Sequence, residues 1–137
     1  MFKLIKILNS DTNVPEPEIF PCDPDIEVRA GAALMWISEK DRVSLGSDTD
    51  KPYCILLADH KKNEDYALGY RITPNMIFEV PIVGDPELLV EGRSYSPVQE
   101  SLIGYIGICE LEEYGSITLL SKNNAKEQGD KVLVYIK

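Results

Sequence analysis

Gly129-Asp130-Lys131-Val132-Leu133-Val134-Tyr135-Ile136 places a turn in front of a five-residue apolar run near the end of the sequence. The run is rich in β-branched and aromatic residues, which favour strands, and the Gly-Asp pair favours a turn. Other short apolar runs precede it, each closed by Gly, Pro, Asn or Asp. One short strand per ~8–12 residues is typical of an antiparallel sandwich or small barrel. The sequence therefore predicts an all-β fold, a small antiparallel β-barrel or sandwich.

Two segments test this prediction. Residues 30–37, Ala-Gly-Ala-Ala-Leu-Met-Trp-Ile, contain helix-favouring Ala and Leu, but their short length and the turn after them favour a buried strand. We favour a strand and leave the helix open. The run Met76-Ile77-Phe78-Glu79-Val80-Pro81-Ile82 is predicted as a strand that ends at a sheet edge, because proline cannot donate to a central ladder.

The first 25 residues differ from the rest. Pro15, Pro17, Pro21 and Pro24 each remove a backbone donor and push the preceding residue toward extended geometry. We therefore predict an extended Pro-rich N-terminal arm over residues 1–25 and a β-barrel or sandwich domain over residues 26–137. The arm is expected to lie on a neighbouring subunit or on a larger shell. The candidate contact residues are Phe2, Leu4, Ile5, Pro15, Pro17, Ile19, Phe20 and Pro21.

Composition restricts the classes of partner. The 137 residues suit one domain with an arm, and the net charge of −9 is spread along the sequence. That charge argues against nucleic-acid binding, which needs clustered Lys and Arg, and against an anionic membrane surface. No run approaches the ~18 apolar residues of a membrane span. We expect a soluble protein made in a cytoplasm, with no nucleic acid and no membrane among its partners.

The three cysteines, Cys22, Cys54 and Cys109, are far apart and odd in number. This pattern indicates buried free thiols in a reducing compartment rather than disulfides. There is no CxxC pair to suggest structural zinc. Asp23-Pro24-Asp25 and Asp48-Thr49-Asp50 space carboxylates as calcium loops do, but neither loop has both the Gly and the Glu that an EF-hand needs. We interpret both as solvated turns and predict no metal and no cofactor.

Catalytic candidates are weak. His60, the only histidine, lies in Asp59-His60-Lys61-Lys62 and is predicted to be an exposed loop residue. Ser94 lies outside any Gly-x-Ser-x-Gly elbow.

Gly92-Arg93-Ser94-Tyr95-Ser96-Pro97 resembles the Gly-x-Ser-Met-x-Pro motif of self-cleaving repressors and signal peptidases. Tyr95 replaces the expected Met, however, and no lysine is placed as the base. Trp36 lies in an apolar run and is interpreted as core rather than as a sugar-stacking surface. We predict a protein that is not an enzyme.

Residues 26–137 resemble the decoration, or head-stabilising, proteins of tailed bacteriophage capsids. The matching stretches are Val28-x-Ala30-Gly31-x-Ala33-Leu34, Lys51-Pro52-Tyr53-x-Ile55-Leu56, Thr73-Pro74-x-Met76-Ile77-Phe78-Glu79-Val80, Leu89-x-x-Gly92, Gly115-x-Ile117 and Ala125-Lys126-x-x-Gly129-Asp130-x-Val132-x-Val134. The resemblance carries no catalytic motif, because such proteins act through interface area.

The resemblance implies a virion structural protein on the outer capsid surface, made in the host bacterial cytoplasm. Its partners would be the major capsid protein and sister copies, often in a homotrimer, and its function would be capsid stabilisation. The alternative that we leave open is a non-catalytic binding module of another kind, such as a carbohydrate-binding domain or a phage tail component. A hydrolase that uses paired carboxylates or Ser94 is the remaining class.

Overall fold

The computed structural model describes residues 2–46, 51–100, 105–109 and 115–137, and for residues 97–100 and 105–109 it describes the backbone only. In these ranges the regular structure is almost entirely β-strand, as the sequence predicts, with one short 3-10 helix at Pro86–Leu88. The strands are β1 (Lys3–Ile7), β2 (Glu18–Pro21), β3 (Ala33–Ile37), β4 (Arg42–Ser44), β5 (Pro52–Leu56), β6 (Tyr66–Arg71), β7 (Met76–Val83), β8 (Ser94–Tyr95), β9 (Pro97–Glu100), β10 (Tyr105–Cys109), β11 (Ile117–Ser121) and β12 (Lys131–Ile136). Strand β3 confirms the strand interpretation of residues 30–37.

A seven-stranded sheet contains both ends of the chain. Its order is β8-β11-β12-β7-β10-β9, and β1 also pairs with β7. All of its pairs are antiparallel except β7 with β10. Along β12 the side chains of Val132, Val134 and Ile136 are buried at alternate positions, which is the pattern of a strand with one face on the core.

Pro81 lies inside β7, so our prediction that this strand ends at a sheet edge was wrong. The N–H of Ile82 donates to the Asp130 carbonyl on the β12 side, over 3.0 Å. Backbone groups alternate in direction, so the nitrogen of Pro81 faces the other side of β7. There β1 pairs only as far as Glu79, and the β10 pairing begins at Ile82. Proline is tolerated because it lies in the gap between the last residue that pairs with β1 and the first residue that pairs with β10.

A five-stranded antiparallel sheet has the order β2-β6-β5-β3-β4. An isolated parallel bridge between Cys22, just after β2, and Val43 in β4 joins the two outer strands. Gly69 allows close backbone approach in this sheet, because a Cβ at this position would lie 2.4 Å from the carbonyl oxygen of Ile55. No closed barrel is found in the described ranges, which show two sheets that are antiparallel except for the β7–β10 pair.

Two apolar cores hold the sheets. The first contains residues from both sheets, including Phe78 of the large sheet and Met35 and Tyr70 of the small one. The second lies on the other face of the small sheet and includes Leu34, Cys54, Leu56 and Phe20. Each fully buried large apolar side chain contributes about 1.5–3 kcal/mol. The small sheet is therefore covered on both faces over much of its length, which explains the continuous apolar run of β5.

Both ends of the segment predicted as an arm, residues 1–25, are paired within the domain. Strand β1 pairs with β7, and β2 forms an outer strand next to β6. Phe2 contacts Phe78 edge-on with ring centroids 5.6 Å apart, and Phe2 and Phe20 belong to the first and second cores. The side chains of these two predicted contact residues therefore pack inside the chain. Leu4 and Pro15 are half-buried, and the exposed members of the set are Ile5, Pro17, Ile19 and Pro21.

Candidate functional site

A groove at one end of the small sheet collects aromatic and basic side chains. We call it the aromatic groove; its volume is about 340 Å³, and it is lined by Trp36, Lys51, Pro52, Tyr53, Arg71 and Ile72. Strand β3 supplies Trp36, β5 supplies Pro52 and Tyr53, and β6 supplies Arg71. Because these strands are neighbours in the sheet, residues far apart in sequence meet on one surface.

Tyr53 is the centre of a chain of ring contacts. Its ring centroid lies 5.5 Å from that of Trp36, with the planes tilted by 50°, and 5.8 Å from that of Phe20 in an edge-on contact. The guanidinium carbon of Arg71 lies over the Tyr53 ring, 5.1 Å from its centroid. Such contacts each contribute about 0.5–1.5 kcal/mol, and they restrict the rotamers of the rings. The groove is therefore built from side chains that are held in place.

Trp36 is 37% exposed, so our interpretation of this residue as core was wrong. It directly opposes Val43 on β4, which is fully buried, but it lies nearer the end of β3 and extends toward the groove. An apolar run in the sequence does not show where along a strand the core ends. The result is a large aromatic surface that solvent can reach.

The groove carries positive charge on an acidic protein. Among the residues that the structure describes, its lining includes the cations Lys51 and Arg71 and no carboxylate. Arg71 forms an ion pair with Glu18, whose Oε1 lies 3.4 Å from Nη2 of Arg71. Both partners of this ion pair are about half exposed, so the pair contributes at most about 1 kcal/mol. The groove can therefore offer positive charge to a ligand at little cost.

A second surface feature is an exposed row of apolar side chains on the small sheet: Ile19, Leu57, Tyr66 and Leu68. Ile19 of β2 directly opposes Leu68 of β6. Tyr66 lies two residues before Leu68 on the same strand face, and Leu57 donates its backbone N–H to the Leu68 carbonyl over 2.9 Å. Ile19 and Tyr66 are 71% and 64% exposed. The exposed row lies on the same face of the small sheet as the first core, outside the part of that face that the core covers.

His60 is 2% exposed, so the prediction of an exposed loop histidine was wrong. Its Nδ1 lies 3.0 Å from the carbonyl oxygen of Ile26, and its Nε2 lies 2.8 Å from the carbonyl oxygen of Glu64. Its backbone forms an antiparallel bridge with Val28. Both ring nitrogens lie within hydrogen-bond distance of backbone carbonyl oxygens, and a nitrogen that carries a proton donates to its partner. His60 therefore joins two loops instead of facing a substrate.

The structure does not bring Ser94 and His60 together as a catalytic pair. Ser94 lies on β8 of the large sheet, where its hydroxyl is buried 3.0 Å from that of Thr118 on β11. The ring nitrogens of His60 contact carbonyl oxygens at the small sheet. The contact that the Ser94 hydroxyl makes is with the hydroxyl of Thr118, which is not a base.

The carboxylate of Asp23 is used within the chain rather than solvated as predicted. Its Oδ1 accepts from the N–H of Asp25 over 3.0 Å, and its Oδ2 accepts from the Ser44 hydroxyl over 2.9 Å, with Lys40 Nζ at 3.7 Å. The N–H of Asp25 is the largest cause that lowers the pKa of this carboxyl below 3.8, followed by Ser44 and Lys40. The second pair, Asp48-Thr49-Asp50, lies outside the described residues.

Cys22 and Cys54 are buried free thiols, as the sequence predicts. Burial first, and then the Asp23 carboxylate, raise the pKa of Cys22 to about 11. Burial first, and then Cys22, raise the pKa of Cys54 to about 12. Both are therefore protonated and unreactive near neutral pH. The side chain of Cys109 lies outside the described part of the chain.

The described residues form no group of three or more His, Cys, Asp or Glu side chains placed to hold a metal ion. Within the same ranges no helix has the length and apolar character that a membrane span requires.

No protein-family model, curated protein or solved structure gives a significant match to this chain.

Proposed function

We propose that this protein is a virion structural protein that binds the outer surface of a tailed-phage head and stabilises the capsid lattice. In this proposal it associates as a homotrimer and contacts the major capsid protein, with no nucleic acid, membrane or cofactor. The resemblance of residues 26–137 to capsid decoration proteins suggests this class. The observation that supports an action through surfaces is the exposed row, Ile19, Leu57, Tyr66 and Leu68.

The exposed row suits contact between copies of the chain. Each copy carries a net charge of −9, so two copies repel each other at long range. An interface between them is favoured where charges are sparse and apolar area is large. The four side chains of the exposed row carry no charge. They lie next to one another on β2, on β6 and at Leu57, which directly follows β5. We therefore assign the exposed row to the contact between sister subunits.

We also propose the finer architecture, a sandwich in which the two sheets share the first core while Ile5, Pro17 and Pro21 face a neighbour. This assignment uses the exposed members of the predicted arm and leaves Phe2 and Phe20 in the cores. We assign no catalytic step, which agrees with the internal contacts of His60 and Ser94.

The direct test is co-sedimentation with expanded, undecorated phage heads from a panel of tailed phages. The protein should pellet with at least one type of head, reach a fixed ratio to the major capsid protein, and raise the temperature at which that head disrupts. Bovine serum albumin at the same concentration serves as the control for trapping. Absence of the protein from every pellet would contradict capsid attachment.

A carbohydrate-binding module is the second candidate function, and the aromatic groove favours it. Trp36 offers an exposed ring on which a sugar could stack, and Tyr53 lies beside it with its ring plane tilted by 50°. The two functions can be distinguished in experiment, because co-sedimentation with heads tests capsid attachment and soluble glycans test the aromatic groove.

A further inference from the structure

We propose that the aromatic groove binds a single anionic sugar residue, a hexuronic acid, with the sugar ring on Trp36 and the carboxylate between Lys51 and Arg71. This proposal names a ligand for the second candidate function and does not depend on capsid attachment. Three observations carry it: the exposed indole, the paired cations in the lining and the size of the groove.

The indole of Trp36 provides the stacking surface. An aromatic face carries partial negative charge, and the C–H groups along one face of a pyranose are weakly positive and apolar. The ring of Trp36 is held by Tyr53 at 5.5 Å, and Tyr53 is held in turn by Phe20 at 5.8 Å. Because these rings are fixed before the ligand arrives, little conformational freedom remains to be lost on binding.

Arg71 is placed to receive the carboxylate. Its guanidinium already lies over the Tyr53 ring, and a planar guanidinium can bind a carboxylate with two parallel hydrogen bonds. Its present partner, Glu18, is held over 3.4 Å in an exposed and weak pair. A ligand carboxylate can therefore share or replace that contact. Lys51 adds a second cation to the lining of the same groove.

The size and charge of the groove select a single anionic ring. A volume of about 340 Å³ lies at the lower end of the range of ligand sites, which suits one sugar residue. A nucleic-acid strand would bring a row of phosphates close to a protein of net charge −9. One carboxylate needs only the two local cations. A uronic acid therefore fits the groove better than a polymer of phosphates.

Trp36 is the only tryptophan, so its fluorescence reports on this groove alone. The purified full-length protein is titrated with methyl glucuronide, methyl galacturonide, methyl glucoside and adenosine monophosphate. We expect saturable quenching or a spectral shift with at least one uronide, and at least tenfold weaker binding of the glucoside, which differs from the glucuronide at the carboxylate. Such a ratio corresponds to the loss of one charge-assisted interaction.

Two variants assign the carboxylate contact. Arg71→Gln and Lys51→Gln should each weaken uronide binding several-fold while circular dichroism and the melting temperature stay close to wild type. Arg93→Gln removes an exposed cation elsewhere and should leave uronide binding unchanged. If Arg71→Gln destabilises the fold, Lys51→Gln alone decides the question.

Three results would overturn this assignment. The first is no response to either uronide at tens of millimolar. The second is equal response to glucoside and glucuronide, which would keep a general sugar-binding function but remove the anion preference. The third is saturable binding of adenosine monophosphate without uronide binding, which would identify the groove as a nucleotide site.

Discussion

Ile19 and Leu68 lie directly opposite each other on β2 and β6, and both side chains face solvent. A cross-strand apolar pair of this kind stabilises a sheet only modestly, by about 0.2–1 kcal/mol. The same pair gains more if a second surface covers it, because each Å² of apolar area removed from water contributes about 25 cal/mol. Together with Leu57 and Tyr66 it forms a continuous uncharged surface, which is the basis of the proposed subunit contact.

Charged substitutions in the exposed row should separate sister subunits without unfolding them. Ile19→Asp and Leu68→Asp each place a carboxylate where two acidic copies would meet, so each should shift the protein toward a monomer of 15.4 kDa in sedimentation velocity. The melting temperature of the isolated chain should change little, because both positions are exposed. Val14→Asp is the matched control, an equally exposed apolar residue outside the row. An unchanged oligomer in both row variants would refute this assignment.

His60 should contribute substantially to stability. His60→Ala leaves the carbonyls of Ile26 and Glu64 without the ring that lies between them and creates a cavity. We expect the free energy of unfolding in urea to fall by about 2–4 kcal/mol. Lys61→Ala, one residue on and exposed, should change it by less than about 0.5 kcal/mol. A His60→Ala protein as stable as the Lys61→Ala control would show that these contacts are unimportant.

Asp23 should make stability depend on pH in the acid range. Its folded-state pKa is lowered, chiefly by the N–H of Asp25 and also by Ser44, so its contribution is fully present above 3.8 and is lost as the pH falls through the lowered value. Asp23→Asn should destabilise the protein by about 1–3 kcal/mol at pH 7. The difference between wild type and variant should shrink as urea unfolding is repeated at pH 5, 4, 3 and 2.

The control for the acid effect is Asp11→Asn, at an exposed position in the loop after β1. Its stability should follow that of wild type over the same pH series. A difference between wild type and Asp23→Asn that stays constant down to pH 2 would contradict the role of the ionised carboxylate.

The two described thiols should resist alkylation. In a Cys109→Ser background only Cys22 and Cys54 can react, and burial keeps their pKa values near 11 and 12. At pH 8 a thiol of that pKa is ionised to roughly one part in a thousand or less, so iodoacetamide should add nothing detectable by mass spectrometry while glutathione reacts fully. Two adducts should form after addition of 6 M guanidinium. Rapid labelling of the folded protein would show that the thiols are accessible.

Much of the fold is readable from local sequence. The turn residues between apolar runs predict the strand spacing, and residues 33–37 form the strand that their short length favours. Pro81 shows the limit of this reading. Proline avoids central strands because its nitrogen has no hydrogen to donate to a neighbouring strand. Whether a neighbouring strand lies opposite that nitrogen depends on where β1 and β10 pair with β7, and those segments are distant in sequence.

The candidate sites were less accessible to sequence reasoning. The polar neighbours of His60 indicate a surface loop, but its burial depends on a bridge to Val28, which is far away in sequence. The aromatic groove needs Trp36, Tyr53 and Arg71 from three strands, and their order in the sheet cannot be read from spacing alone. Ile19 was predicted as a contact residue. Tyr66 and Leu68 are two residues apart on β6 and therefore share one face of the strand. This spacing is the signal that could have identified them as neighbours of Ile19 in the exposed row.

We propose that this protein works by presenting its faces to copies of itself and to a larger shell. Sedimentation velocity of the purified wild-type chain at micromolar concentrations tests it most directly. We predict a concentration-stable species of about three times 15.4 kDa. A single monomer at every concentration up to the highest attainable would contradict the claim.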